Sequence, residues 1–219
     1  PFAPYASPTP GEISVIASGI AKNNQYELDE EYFKEIKDCN FNAIILYCGR
    51  PNDYLDETQK SLTNAKNAGI NVIANNYHVN HVMPEDEDKN MSPAAIEKKS
   101  QLYLRNAKEF YDELKSVKAT DNKTDCYNII KGWALKDEPN YAQLNADSEG
   151  CNLKTIIQYM NDNGNTRPIQ VNLFGRVGSK LQAEGVTYNQ YLTSFGSLNL
   201  NLWSYDFYPI QEESCLLLT

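Results

Sequence analysis

The 219-residue sequence lacks the features that mark several common classes of protein. None of its apolar runs approaches the roughly 20 residues that a membrane-spanning helix needs, so we expect no transmembrane segment. Lysine and arginine number 20 against 29 aspartates and glutamates, which leaves a net charge of −9. Because a nucleic-acid-binding surface needs a basic stripe to neutralise phosphates, this acidic balance predicts no nucleic-acid partner.

Motifs for metals, redox chemistry and nucleotides are also missing. The five cysteines are dispersed without CxxC spacing, which argues against both a disulfide framework and a zinc site. His78 and His81 form an HxxH pair without the glutamate and the third ligand of a zinc enzyme. No Walker loop is present, and the segment after the first predicted strand lacks the G-x-G-x-x-G spacing of dinucleotide folds. We therefore predict no metal and no cofactor.

Short β-rich runs alternate with amphipathic helical runs along the chain. The predicted strands are 13–18, 41–48, 70–78, 127–137, 168–174 and 199–209. The predicted helices are 29–39, 55–69, 94–118, 152–163 and 179–195. Strand–helix units of roughly 30 residues are typical of right-handed crossovers between parallel strands, so the sequence predicts an α/β fold with a parallel sheet.

A doubly wound open sheet and a (β/α)8 TIM-type barrel both fit this alternation, and the ends of the strands favour the barrel. Barrel enzymes build their active sites from residues at the carboxyl ends of the strands. Polar side chains cluster at the carboxyl ends of nearly every predicted strand here: Tyr47, Arg50, Asn76, His78, Asp137, Glu138, Asn172, Asp206 and Tyr208. The polar positions therefore predict a barrel with a pocket at this end.

Only about six strand–helix units are visible, whereas a complete barrel has eight. We therefore expect an incomplete barrel over residues 13–219 that lacks its last strands. Residues 1–12 are rich in proline and are predicted to be a linker. The linker and the absence of an initiator methionine are consistent with a mature exported protein. We accordingly expect the protein in the periplasm, on the cell surface or outside the cell. We also expect it to be a monomer.

The segment GWALKDEPN, Gly132–Asn140, ends a predicted strand in two adjacent carboxylates. Strict alternation along the strand would place Lys136 and Glu138 on the inner face with the small residues, and Asp137 on the outer face with Trp133. Pro139 should restrict Glu138 to extended backbone. Asn140 is a suitable N-cap for the short segment that follows.

This segment resembles the Asn-Glu-Pro or Asp-Glu-Pro signature that closes the fourth strand of (β/α)8 glycoside hydrolases of the large retaining clan. The variant Gly-Trp-x-x-x-Asp-Glu-Pro is similar to that of Asp-Glu-Pro-motif glycosidases of gut Bacteroidetes. The later segment LWSYDFYP, residues 202–209, resembles the sixth strand of those proteins. The resemblance covers most of the chain in layout, but only these two motifs in specific residues.

The resemblance implies a glycoside hydrolase that cleaves an oligo- or polysaccharide with Glu138 as general acid/base. Asp137 stands where the family has an asparagine that contacts the sugar 2-hydroxyl. The family nucleophile follows a seventh strand that is not visible here, which leaves Asp206 as a substitute nucleophile or a substrate contact. The predicted substrate-binding residues are Asp137, Asp206, Tyr208, Asn172, His78, Asn76, Tyr47, Arg50 and Lys136.

Two other functions stay open from the sequence. A carbohydrate-binding barrel could keep the pocket and lack one catalytic carboxylate. An aldolase-like barrel could instead use Lys136 as a Schiff-base amine, since strict alternation places it on the inner face. The Asp-Glu-Pro sequence after Lys136 is not what Schiff-base chemistry needs, so the glycosidase is the primary hypothesis.

Overall fold

Strands and helices alternate along the chain in the computed structural model, which describes residues 16–18, 29–48, 55–76, 90–145, 152–173, 185–200 and 202–205. The strands in those ranges are β1 (Ile16–Ser18), β2 (Ala43–Cys48), β3 (Asn71–Asn76), β4 (Ile130–Asp137), β5 (Ile169–Leu173) and β6 (Leu202–Tyr205). The helices are α1 (Glu30–Asp38), α2 (Leu55–Ala68), α3 (Pro93–Lys115), α4 (Tyr141–Asn145), α5 (Leu153–Asp162) and α6 (Tyr188–Gly196). Each described strand falls within its predicted range, and the paired strands are parallel, so the predicted α/β class is confirmed.

The chain divides into two compact units, of which the first comprises residues 1–74 and 114–131. In this unit β1 and β2 pair in parallel, with Ile16 opposite Ala43. Helix α1 begins where the Asp29 carboxylate accepts a 2.8 Å hydrogen bond from the backbone N–H of Tyr32. It buries Phe33 on the face that it turns toward the core. A polar cap and an apolar stripe thus define this helix from local sequence.

The second unit comprises residues 75–113 and 132–219 and contains most of β4 together with β5 and β6. These three strands are neighbours in chain order, and both pairs are parallel. Along β5, the buried residues Ile169, Val171 and Leu173 alternate with the half-buried Gln170 and Asn172. One face of β5 therefore belongs to the apolar core, and the other face carries polar groups.

Trp133 of β4 marks the core side of this second unit. Its side chain is 1% exposed, and its ring lies 5.0 Å from that of Tyr111 on α3. The indole N–H donates to the Asn165 side-chain oxygen at 2.9 Å, and the Tyr111 hydroxyl donates to the Met160 carbonyl at 3.4 Å. The polar edges of both buried aromatics are thus hydrogen-bonded, as burial requires. Trp133 faces the helices, as the sequence predicted.

Some element bounds differ from the prediction. Tyr127–Ile129 forms a 3-10 turn instead of the start of a strand. Helix α6 begins only at Tyr188, because Thr187 and Gln190 form a reciprocal capping box at that point. A short helix, α4, follows the Asp-Glu-Pro segment, and the predicted cap at Asn140 is confirmed.

None of the helices that the structure describes has the length and apolar character needed to cross a bilayer.

Candidate active site

The pairing of β4 with β5 contains an irregularity that changes which side chains share a face. Ala134 lies opposite Gln170 and Asp137 lies opposite Asn172, so three residues of β4 span the same distance as two residues of β5. The extra residue is Leu135, which makes the irregularity a β-bulge. Since Gln170 and Asn172 are on one face of β5, Asp137 lies on the same face as Ala134.

The strict alternation that we predicted for β4 is therefore wrong beyond Ala134. Asp137 lies on the polar face of the sheet, and Lys136 lies opposite Val171, on the face that Trp133 presents to the helices. The physical reason is the inserted residue, because a shift of one position exchanges the two faces of a strand. The geometric argument for Lys136 as an inward-facing amine is lost with the alternation.

Four polar side chains on this face form a directed chain of hydrogen bonds across the three strands. The Gln170 amide donates to the Ser204 hydroxyl at 2.8 Å, and that hydroxyl donates to the Asn172 amide oxygen at 2.9 Å. The Asn172 amide nitrogen donates to Asp137 Oδ1 at 2.9 Å. The chain of donors ends on a carboxylate that is exposed at the carboxyl end of β4.

Glu138 follows directly after β4 and has a left-handed backbone, with φ of +41°. Its N–H still donates to the Asn172 carbonyl, at 3.0 Å, so the pairing with β5 continues through this residue. The extended conformation that we predicted from Pro139 is therefore wrong. A residue other than glycine rarely adopts this backbone region, and holding it there costs on the order of 1–3 kcal/mol.

The surrounding structure supplies the contacts that hold this strained turn. The buried Tyr191 of α6 donates its hydroxyl to the carbonyl of buried Pro139 at 3.0 Å. On the other side, the Asn140 side chain accepts from the N–H of Gln143 at 2.8 Å, and the Gln143 side chain accepts from the N–H of Asn140 at 2.9 Å. The half-buried Glu138 is thus fixed by β5 before it and by two helices after it.

The structure brings three of the predicted site residues together: Asp137, Glu138 and Asn172. Tyr47 lies on β2 of the first unit with 51% of its surface exposed. Asn76 is the last residue of β3, and its side chain lies outside the described residues. The predictions that also fall outside the described residues are those for Arg50, His78, Asp206 and Tyr208.

Sequence reasoning missed three residues that support the site: Gln170, Ser204 and Tyr191. A signal for the first two was present, because alternation within PIQVNLF and LWSYDFYP puts Gln170 and Ser204 on a polar face of their strands. Tyr191 had no such signal, because its partner is a backbone carbonyl 52 residues earlier in the chain. Among the described residues, no group of three His, Cys, Asp or Glu side chains could hold a metal ion.

Neither a family model nor a curated protein matches the chain. A β-galactosidase from the psychrophilic Marinomonas ef1 matches in structure with a TM-score of 0.50 and 10% identity over 89% of this chain and 40% of that one. A fungal β-1,4-galactanase matches with a TM-score of 0.46 and 15% identity over 81% and 55%. A 2,3-dimethylmalate lyase of the PEP mutase/isocitrate lyase superfamily matches with a TM-score of 0.39 and 10% identity, over 93% of this chain and 60% of that one.

The chain spans between 40% and 60% of the length of these three proteins. At 10% identity the similarity to the β-galactosidase concerns the fold alone. The chain therefore has an α/β fold similar to that of a glycosidase. Because one fold can host unrelated chemistries, the residues of the site determine the function.

Proposed function

We propose that the chain is part of a (β/α)8 glycoside hydrolase that cleaves a glycosidic bond in an oligo- or polysaccharide with Glu138 as general acid/base. The observation that carries the proposal is the left-handed backbone of Glu138 at the carboxyl end of β4, where its N–H bonds to β5 and the next residue, Pro139, accepts from Tyr191 of α6. Strained residues that their surroundings hold in place cluster at active sites. The carboxyl end of a parallel strand is where barrel enzymes place their catalytic groups.

In a retaining mechanism Glu138 protonates the leaving glycosidic oxygen while a second carboxylate bonds to the sugar, and Glu138 then takes a proton from the water that hydrolyses this intermediate. In an inverting mechanism Glu138 is only the acid, and the second carboxylate takes the proton from the attacking water. A second carboxylate has to complete the site, at about 5–5.5 Å from Glu138 for a retaining enzyme or about 6.5–9.5 Å for an inverting one. Either Asp206 or a carboxylate in a longer form of the protein would supply it. As in the family that the sequence resembles, a carboxylate after a seventh strand is the nucleophile we favour.

Asp137 is the substrate contact with the best support. Its carboxylate is exposed beside Glu138, and Asn172 holds it from the neighbouring strand. The remaining contacts of the proposal rest on sequence position: Tyr47, Arg50, Asn76, His78, Asp206 and Tyr208. An exported, monomeric protein that acts on carbohydrate outside the cytoplasm completes the proposal.

The test is hydrolysis of a panel of aryl glycosides by the wild type and by Glu138→Gln, which keeps the size of the side chain and removes the acid. We expect one glycoside to be hydrolysed, and Glu138→Gln to reduce its kcat/KM by about 10²- to 10⁴-fold. Glu35→Gln, a change at an exposed glutamate on α1, is the matched control and should leave the rate unchanged.

Two outcomes would contradict the proposal. If Glu138→Gln retains the full rate on a hydrolysed substrate, another residue is the acid/base. If both this chain and a longer form hydrolyse no glycoside, yet oligosaccharides raise the melting temperature, the protein is a carbohydrate-binding barrel without catalysis. Melting curves of each variant show whether a lost rate reflects chemistry or unfolding.

A further inference from the structure

Asn172 contacts both acids of the candidate site at the same time. Its side-chain N–H donates to Asp137 at 2.9 Å, and its backbone carbonyl accepts from the N–H of Glu138 at 3.0 Å. The side-chain oxygen accepts from the hydroxyl of Ser204 at 2.9 Å. The Asn172 amide is thus engaged at both ends within the protein, and its orientation decides what Asp137 receives.

Asp137 and Ser204 together set that orientation, because the carboxylate can only accept and therefore faces the amide N–H group, while the Ser204 hydroxyl donates its single proton to the amide oxygen. The proton of Ser204 goes to Asn172, and the amide nitrogen of Gln170 donates to the same hydroxyl at 2.8 Å. A reversed Asn172 amide would place its oxygen against the Asp137 carboxylate, where two acceptors repel. The hydrogen bonds therefore have one direction, from Gln170 through Ser204 and Asn172 to Asp137.

We propose that Ser204 is a positioning residue that acts through Asn172 to hold Asp137 as the acceptor for a hydrogen-bond donor on the substrate. The proposal rests on the proposed function, and it narrows the substrate class. A carboxylate can only accept, so the sugar unit beside Glu138 must present a free hydroxyl or an N–H group to Asp137. A unit whose hydroxyl at that position is methylated offers no proton and would bind poorly.

A double-mutant cycle separates positioning from simple loss of stability. Ser204→Ala removes the hydroxyl, Ser204→Thr retains it, and Asp137→Ala removes the group through which Ser204 is proposed to act. For an aryl glycoside that the wild type hydrolyses, we expect Ser204→Ala to lower kcat/KM about tenfold and Ser204→Thr to restore it to within about twofold. In the Asp137→Ala background, Ser204→Ala should cause no further loss.

The matched control is Ser197→Ala, at a serine of the same unit whose hydroxyl donates to the Ser194 carbonyl at 2.6 Å. This change removes a hydroxyl away from the three strands and should leave kcat/KM unchanged. The proposal is overturned if Ser204→Ala keeps the wild-type kcat/KM while Glu138→Gln abolishes it. It is also overturned if Ser204→Ala lowers kcat/KM by the same factor with and without Asp137.

A second readout does not need turnover. The side-chain amide resonances of Asn172 in a ¹H–¹⁵N NMR spectrum should move in Ser204→Ala and in Asp137→Ala, and stay in place in Ser197→Ala. If the protein hydrolyses no glycoside, the proposed function fails by itself, and these resonances still decide whether Ser204 orients Asn172. Resonances that do not move in Ser204→Ala would overturn the positioning role whatever the activity.

Discussion

Two turns of the chain each place a left-handed residue directly after an aspartate, yet they use the aspartate in opposite ways. Asp121 Oδ1 accepts from the N–H groups of Lys123 and Thr124 at 2.8 Å each, and its Oδ2 accepts from the Thr124 hydroxyl at 2.6 Å. Asp137 accepts its bond from Asn172, which lies on another strand. The Asp121 carboxylate accepts hydrogen bonds within its own turn and so closes it. The Asp137 carboxylate accepts from a neighbouring strand and is exposed to solvent.

The left-handed residues differ in the same way. Asn122, with φ of +57°, is of a type that tolerates this backbone region, and its turn is closed by local hydrogen bonds. Glu138 is not of such a type, and its turn is held by a hydrogen bond from its own N–H to β5 and by one from α6 to the carbonyl of Pro139. Local hydrogen bonds thus hold Asp121 in its own turn, whereas distant elements hold the turn at Glu138, which is the arrangement we expect for the proposed catalytic acid.

The largest expected effect comes from Glu138→Gly, which separates strain from function. Glycine adopts the left-handed region freely, so we expect the free energy of unfolding to rise by about 1 kcal/mol. The carboxyl group is lost, so kcat/KM for a hydrolysed glycoside should fall by about 10²- to 10⁴-fold. Urea unfolding and steady-state kinetics measure the two quantities.

Asn122→Gly is the matched change in the other turn. Because asparagine is strained little by this backbone, the free energy of unfolding should change by less than about 0.5 kcal/mol, with no effect on activity. If Asn122→Gly raised the free energy of unfolding as much as Glu138→Gly does, the two turns would be equally strained.

The stability of the protein at acid pH should depend on Asp121, whose carboxylate closes its own turn. Hydrogen bonds from the Thr124 hydroxyl and from the backbone N–H groups of Thr124 and Lys123 lower the pKa of Asp121 from 3.8 to about 2. A carboxyl group with a depressed pKa stabilises the fold above its unfolded pKa, and that stability is lost as the pH falls through the folded value. Melting temperatures of the wild type should therefore fall between about pH 4 and pH 2 more steeply than those of Asp121→Asn.

A matched control for this measurement is Asp38→Asn, at an exposed aspartate at the end of α1. The melting temperature of this variant should fall toward low pH as steeply as that of the wild type. Equal slopes for the wild type and Asp121→Asn would show that the closed turn contributes no acid-sensitive stability.

Tyr191→Phe tests the bracing of the strained turn. The substitution keeps the buried ring and removes the hydroxyl that donates to the buried carbonyl of Pro139. We expect the free energy of unfolding to fall by about 1–2 kcal/mol, because a buried hydrogen bond is lost. Tyr32→Phe on α1, where the tyrosine is only half-buried, should cost less. Equal losses in the two variants would mean that the hydroxyl of Tyr191 does not brace the turn.

The smallest expected effect on stability is that of Asp137→Asn. The hydrogen bond from Asn172 to Asp137 is exposed to solvent, so the free energy of unfolding should change by less than about 0.5 kcal/mol in chemical denaturation. A large fall in the free energy of unfolding would show that Asp137, like Asp121, stabilises the fold, and would contradict the difference between the two turns.

Much of the fold was predictable because the relevant signals are local. Runs such as FNAIILYC contain enough apolar residues to identify a buried strand, and Asp29 with its following acids identifies the start of α1. The errors occurred where local signals competed. The run beginning at Tyr127 is apolar enough for a strand, but it starts as a 3-10 turn, and α6 begins at a cap that the periodicity did not reveal.

The candidate site was predictable in position and not in orientation. Asp137, Glu138 and Asn172 end neighbouring strands, and parallel strands bring such residues to the same edge of a sheet. Their orientation depends on the bulge at Leu135, which exists only in the pairing of β4 with β5. No pattern within β4 itself shows where its partner omits a residue.

By itself, the sequence determined the strand–helix alternation, the apolar faces and the presence of two acids before a proline at the end of β4. These follow from side-chain type and spacing, which act over one or two turns of chain. The tertiary structure decided the face of Asp137, the left-handed backbone of Glu138 and the orientation of Asn172. The first depends on the bulge in the pairing of β4 with β5, and the other two depend on hydrogen bonds from β5, α6 and β6. All of these form only when the chain has folded.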